Sequence, residues 1–157
     1  MNRGLLLTLT EPPRAMEEEF NAWYDTEHLA ERLAIPGFRS ARRWVRGRTF
    51  LTTYELDSPQ VLNSPEYLMR YRNQSPWSRR CLAKCLTFKR WACTQIDPGD
   101  ADSHDAAVAL GFTHKPARFS AVLQSRRFAA ESGETIFLYE LSDPREQSED
   151  VYRLYGS

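Results

Sequence analysis

The sequence predicts an α+β fold: an antiparallel sheet built in the order βαββαβ, with both helices on one face. Three observations carry this. Runs of alternating apolar residues recur at Leu5 to Thr10, Phe38 to Arg46, Phe50 to Leu56 and Leu86 to Gln95, and period-two alternation marks a half-buried strand. Helix signals fill the gaps after the first and third runs. A short glycine connection, Gly47-Arg48-Thr49, joins the middle two runs as a hairpin. This order is the ferredoxin-like split βαβ, whose second sheet face is bare and asks for a cover.

The elements follow in chain order. Leu5 to Thr10 ends at Glu11-Pro12-Pro13. Proline at the entry and the acidic run Glu17-Glu18-Glu19 suit the first turns of a helix, whose positive end favours carboxylates. Met16, Phe20, Trp23 and Tyr24 fall on one face of it, with His28 close by, while Leu29 and Leu33 land nearly opposite. A phase change of this kind predicts a break in the helix around Asp25–His28, which frees Tyr24 to His28 to line a cleft. Pro36-Gly37 then turns the chain into the hairpin. Ser58-Pro59, Ser64-Pro65 and Ser75-Pro76 are three helix-start signals, serine as cap and proline at the first position. Glu66, Tyr67, Leu68 and Tyr71 support the middle one, and Trp77 begins a short last helix with Cys81 and Cys85.

Beyond Asp97-Pro98-Gly99-Asp100 the chain echoes itself. Thr135 to Pro144 repeats Phe50 to Pro59 at an offset of 85 residues, matching Tyr54 to Tyr139, Glu55 to Glu140, Leu56 to Leu141 and Pro59 to Pro144. Residues 1–98 therefore read as the principal domain. Residues 99–157 read as a degenerate second repeat: a linker, a β-hairpin using Ala117 to Phe128, and a short helix near Asp150–Tyr155.

Bulk composition narrows the function classes. The 21 basic and 21 acidic residues balance, so no net field steers the chain to nucleic acid or anionic lipid. No apolar run approaches the roughly 20 residues that span a bilayer. Three cysteines, Cys81, Cys85 and Cys93, fit neither a disulfide framework nor a zinc site, and a reduced cytoplasmic protein is expected. There is no Gly-rich phosphate loop and no nucleophile elbow.

The run Phe20-x-x-Trp23-Tyr24-Asp25-x-x-His28, followed by Pro36-Gly37-Phe38 and by Tyr54-Glu55-Leu56 on a later strand, resembles the EthD-like branch of the dimeric α/β-barrel superfamily. The resemblance covers about the first 95 residues. It implies two sheets paired face to face, in a homodimer or with the chain's own second repeat, and a pocket between helices and sheet. It also implies cofactor-free cyclases, isomerases, decarboxylases and monooxygenases among the relatives, with haem binders and members of no assigned activity beside them.

His28 is the histidine in an aromatic setting, and its ordinary pKa suits it to act as general base or acid near neutrality. Asp25, one turn earlier, could orient it, and Tyr24 could donate to a developing enolate or phenolate. The plain alternative makes His28 a helix-end residue and Tyr24 core. Trp23, Trp44, Tyr54, Tyr67, Tyr71 and Trp77 could wall a flat apolar pocket, or be core. One of Arg42 and Arg43 should point inward, to a substrate carboxylate or to Glu55. The expectation is a cofactor-independent lyase, isomerase or cyclase acting on a small hydrophobic, aromatic or polyketide-like molecule through an enolate. The alternatives are a non-catalytic ligand-binding or accessory protein of an oxygenase system, and a cofactor-free monooxygenase.

Overall fold

The alternating runs close on themselves. The computed structural model of the chain describes residues 2–156, and its strands are β1 (Gly4–Glu11), β2 (Phe38–Arg46), β3 (Thr49–Leu56), β4 (Thr87–Asp97), β5 (Ala109–Thr113), β6 (Val122–Ala130), β7 (Thr135–Leu141) and β8 (Val151–Leu154). They form one closed antiparallel barrel in the order β1-β3-β2-β8-β5-β7-β6-β4. This corrects the expected open ferredoxin-like sheet with a bare face and a partial second repeat. The physical reason lies in the inner face. Leu5, Leu7, Trp44, Leu51, Trp91 and Cys93 point inward from the first four strands and meet Leu110, Phe112, Phe128, Ile136, Leu138 and Tyr152 from the last four. Each such side chain contributes about 1.5–3 kcal/mol when withdrawn from water, and an eight-stranded barrel is just wide enough for side chains to fill it. Within this chain the second half covers the sheet face that the first half leaves bare.

That second half holds four strands, not a hairpin alone. Leu5 lies opposite Glu55 and Cys93, and Leu110 lies opposite Glu140 and Tyr152. Likewise Arg42 faces Thr53 where Arg126 faces Leu138. The two halves thus share one strand order, the echo at Glu55 and Glu140 included. The short helix expected near Asp150–Tyr155 is instead strand β8, which pairs with β2 and β5. Four residues are too few for a stable helix, whereas two flanking strands satisfy their backbone at once.

Among the described residues the helical layer lies on the first half: α1 (Glu17–Trp23), a π-helical turn (Tyr24–His28), α2 (Leu29–Leu33), α3 (Pro65–Arg72) and α4 (Pro76–Lys84). Ser64 and Ser75 cap α3 and α4, accepting from the backbone N–H of Tyr67 and Ser78 at 3.2 and 3.0 Å. Ser58-Pro59 opens only a 3-10 segment, Pro59–Asn63, without a side-chain cap. On the second half, the loop before β6 replaces helices. Ala117 and Phe119 pack over Ala109, Tyr139, Leu141 and Val151. A Cβ at Gly111 would come within 2.7 Å of the Phe119 ring, so glycine lets that ring lie flat on the sheet. The space between helices and sheet therefore exists on one side of the barrel.

Among the described residues, no helix is long and apolar enough to cross a membrane.

Candidate functional site

The phase change in the first helix is real and takes the form of a π turn, Tyr24–His28, inserted between α1 and α2. The wider turn takes up one extra residue, which shifts the sequence phase of everything downstream, and such insertions recur at functional sites. Here it lets Phe20, Trp23, Tyr24 and His28 all face the sheet. The turn is anchored from α4: the Trp23 indole N–H donates to Glu27 Oε2 at 3.1 Å and to Ser78 Oγ at 3.0 Å, while Ser75 Oγ donates to the same Glu27 oxygen at 2.7 Å.

Under this turn lies a small cavity of about 40 Å³, lined by Leu6, Thr8, Tyr24, His28, Arg32, Tyr54, Tyr67, Tyr71, Gln74, Leu82, Phe88 and Arg90. No carboxylate lines it. An adjoining cleft of about 220 Å³ shares Tyr67, Tyr71 and Arg90 with it. Arg90 donates to the Tyr67 hydroxyl at 2.9 Å. Larger clefts lie between α2 and α3, about 350 Å³, and beside β8, about 580 Å³, and neither contains a buried titratable side chain; a third, about 290 Å³, is lined by Asp25, Arg42 and the buried Arg43.

His28 stacks on Trp23, with centroids 4.4 Å apart, and meets the edge of Tyr24 at 5.0 Å. Burial, and then the guanidinium groups of Arg32 and Arg43, push its pKa down to about 3. It is a neutral imidazole, and its Nδ1 is buried without a hydrogen-bond partner. The Tyr54 hydroxyl is also buried and has no partner of hydrogen-bond geometry. Burial first, and then the neighbouring Tyr24 hydroxyl, hold its pKa well above the ordinary tyrosine value. Tyr24 itself shares a 3.4 Å contact with Thr8 Oγ1.

Of the residues named from sequence, Tyr24, His28, Tyr54, Tyr67 and Tyr71 line this cavity. Trp23 backs it, fully buried behind His28. Asp25 does not orient His28: its carboxylate is half exposed and pairs with Arg43 at 3.3 Å. Trp44 points into the barrel, where its indole N–H reaches Thr53 Oγ1 at 3.2 Å. Trp77 packs against the Phe20 cluster and does not line the cavity. Arg42 lies at the barrel end, donating to the carbonyls of His104 and Ala107 at 2.9 and 2.7 Å. Arg43 is the one that turns toward the helices, between the rings of Tyr24 and Tyr155, and it donates to Asn21 Oδ1 at 2.8 Å. Neither pairs with Glu55. Glu55 instead takes a two-point hydrogen bond from Arg126 at 2.8 and 3.0 Å inside the barrel, where Arg126 Nε also lies 3.6 Å from Glu140.

Seven of the twelve lining residues were not named from the sequence, and two of these are cations, Arg32 and Arg90. Arg32 sits four residues after His28, a helical repeat that could have flagged it. Arg90 shares its face of β4 with Phe88 and Ala92, as period-two alternation requires. Among the described residues, no group of three or more His, Cys, Asp or Glu side chains is arranged to hold a metal ion.

No family model matches this chain, and no curated protein matches it in sequence. In structure it is similar to a protein whose crystal structure is described as that of an anthrone oxidase-like protein, with a TM-score of 0.62 over 98% of this chain and 92% of the other. The two are 8% identical, so the likeness concerns fold. It shows the fold and does not reach the EthD-like branch.

Proposed function

We propose that this chain is a small-molecule enzyme that binds an aromatic substrate beneath its π turn and moves a proton there by way of an enolate or phenolate. The observation that carries this reading is the cavity itself: a buried neutral imidazole beside the Tyr24, Tyr54 and Tyr67 rings, with cations close by and no carboxylate in the lining. A protonated His28 is disfavoured by burial and by two guanidiniums. When a substrate C–H proton passes to the imidazole, the negative oxygen left behind offsets those same cations. Base and oxyanion are then stabilised together, and the unpartnered Tyr54 hydroxyl is free to donate to that oxygen. Asp25 has no part in this scheme.

The name of the structural neighbour favours one branch of this chemistry. In that branch the carbanion formed from an anthrone reacts with dioxygen, the methylene becomes a carbonyl, and one molecule of water is released per molecule of oxygen consumed. Three fused rings exceed the inner cavity, so such a substrate requires Tyr71 and Arg90 to swing aside and admit the adjoining cleft. A non-catalytic ligand-binding role would use the same cavity without turnover.

Anthrone is therefore the test substrate. Under nitrogen in deuterated buffer, the intact protein should accelerate exchange of the methylene hydrogens, read by mass spectrometry. His28→Gln should remove about 10²–10⁴-fold of that rate while binding persists. Equal exchange by the wild type and His28→Gln would sink the assignment of the base, and oxygen uptake in air would select the oxidative branch.

A further inference from the structure

Besides His28 Nδ1 and the Tyr54 hydroxyl, the cavity holds a cation without a charged partner. Arg32 is only 7% exposed. Its guanidinium makes no hydrogen bond and no ion pair among the described residues; it lies over the face of Tyr67, 5.5 Å from the ring centroid, and its charge is felt at His28 and Tyr54. The nearby acidic residue Glu31 is turned outward toward Arg70, at 4.0 Å. Arg43 of β2, the other buried cation beneath the helix layer, has Asp25 and Asn21. Buried cations are ordinarily paired, because withdrawing a charge from water without a counter-ion is strongly unfavourable. Arg32 lines the cavity together with the unpartnered hydroxyl of Tyr54. At the entrance stands a second cation, Arg90, about 6 Å from the ring centres of Tyr67 and Tyr71.

We infer that the inner cavity is an anion site, which receives the ionised oxygen of an aromatic acid with Arg32 as its counter-ion and Arg90 as the cation at its entrance. Size decides the orientation. About 40 Å³ accepts a carboxylate or a phenolate oxygen but not a ring. The ring then rests outside, between Tyr71 and Phe88, two aromatic side chains that are each 49% exposed. A planar guanidinium matches a carboxylate through two parallel hydrogen bonds, and the tyrosine hydroxyls supply further donors. The inference rests on the cavity proposed above as the substrate site, but it does not require His28 to be a base.

The test uses the intact protein with benzoate, its neutral counterpart benzamide, and 4-nitrophenol, whose ionisation is visible. Benzoate should bind about tenfold or more tightly than benzamide by calorimetry. 4-Nitrophenol should bind as the phenolate, so its yellow band should grow on adding protein at a pH where it is partly ionised. Arg32→Gln should abolish the benzoate preference and the phenolate band while raising the ligand-free Tm, because it removes an unpaired buried charge. Arg32→Lys should keep part of the preference. A residue that merely packs on Tyr67 would give a lower Tm and an unchanged preference. The inference is overturned if benzamide binds as well as benzoate, if Arg32→Gln retains the preference, or if none of the three probes binds. Benzoate preference surviving in His28→Gln, with no anthrone exchange by the wild type, would leave the anion site standing and remove the catalytic reading. Exchange without any preference for anions would do the reverse.

Discussion

His28 stays neutral in the folded chain down to about pH 3, because its surroundings offer an imidazolium no solvent and place Arg32 and Arg43 nearby. In the unfolded chain it titrates near its ordinary 6.5. Between those values the unfolded state holds a proton that the folded state refuses, so this residue makes stability fall as pH drops below about 6.5, by at most about 1.4 kcal/mol per pH unit. Urea midpoints at pH 7 and pH 5 should differ accordingly, and His28→Gln should narrow the gap. The cysteines provide a second check at this scale. Burial, and then the neighbouring Cys81 thiol, push Cys85 up to about 11, and burial, then Glu131 and Glu134, push Cys93 up to about 12. Both should react slowly with iodoacetamide at pH 7 in the folded protein and quickly once it is unfolded. The sequence singled out His28 by its aromatic neighbours. It gave no sign that Asp25 would leave it for Arg43, since one helical turn permits either partner.

The decisive element is the π turn. The phase change between Phe20-Trp23-Tyr24 and Leu29-Leu33 was legible as a break, because apolar periodicity records helix phase. That the break is an inserted residue within a continuous helix was not legible, since a kink or a loop would shift the phase equally. Deleting Thr26, whose Oγ1 donates to the Ala22 carbonyl on an exposed face, should return the segment to α-helical register. The helix beyond it would keep its phase, because the wider turn absorbs the roughly 100° of one extra residue, so Arg32 should stay on the sheet while the spacing of Tyr24 and His28 tightens. Helical circular dichroism and the benzoate preference should persist while anthrone exchange falls. The caps of α3 and α4 were legible from the Ser-Pro pairs. Ser75→Ala should destabilise the fold by about 0.5–2 kcal/mol through the cap, and more if Glu27 loses its hold on Trp23.

At the scale of the whole molecule, one ion cluster joins the halves. Glu55 of β3 and Glu140 of β7 share Arg126 of β6, all nearly inaccessible within the barrel. Arg126→Met should cost about 3–5 kcal/mol by stranding two buried carboxylates. Adding Glu55→Gln and Glu140→Gln should return part of that stability, read as a recovered urea midpoint. Closure itself is tested by a fragment ending at Pro98. Without β5 to β8 the inward face of Leu5, Leu7, Leu51 and Trp91 is open to water, so light scattering should show dimers or aggregates where the intact chain gives none of that origin.

Alternation, caps, helix phase and the echo of Glu55 at Glu140 are local or pairwise signals, and the sequence determined by itself the elements of the first half and the stretch Phe20–His28 as the place to look. Which face of each strand would meet the helices was left to the tertiary structure. Both faces of β3 are buried, and each face of β2 carries an arginine beside an apolar residue, so the pattern alone does not choose; packing put Trp44 and Arg42 on the barrel side and Tyr54 and Arg43 under the helices. Closure was decided there too. Strands β5 and β8, at five and four residues, are too short to announce themselves and form because their neighbours offer unpaired backbone edges. The isolation of Arg32 has the same origin: in the sequence it is an ordinary charge beside Glu31, and only the packing of Tyr67 across it turns it into a buried cation without a partner.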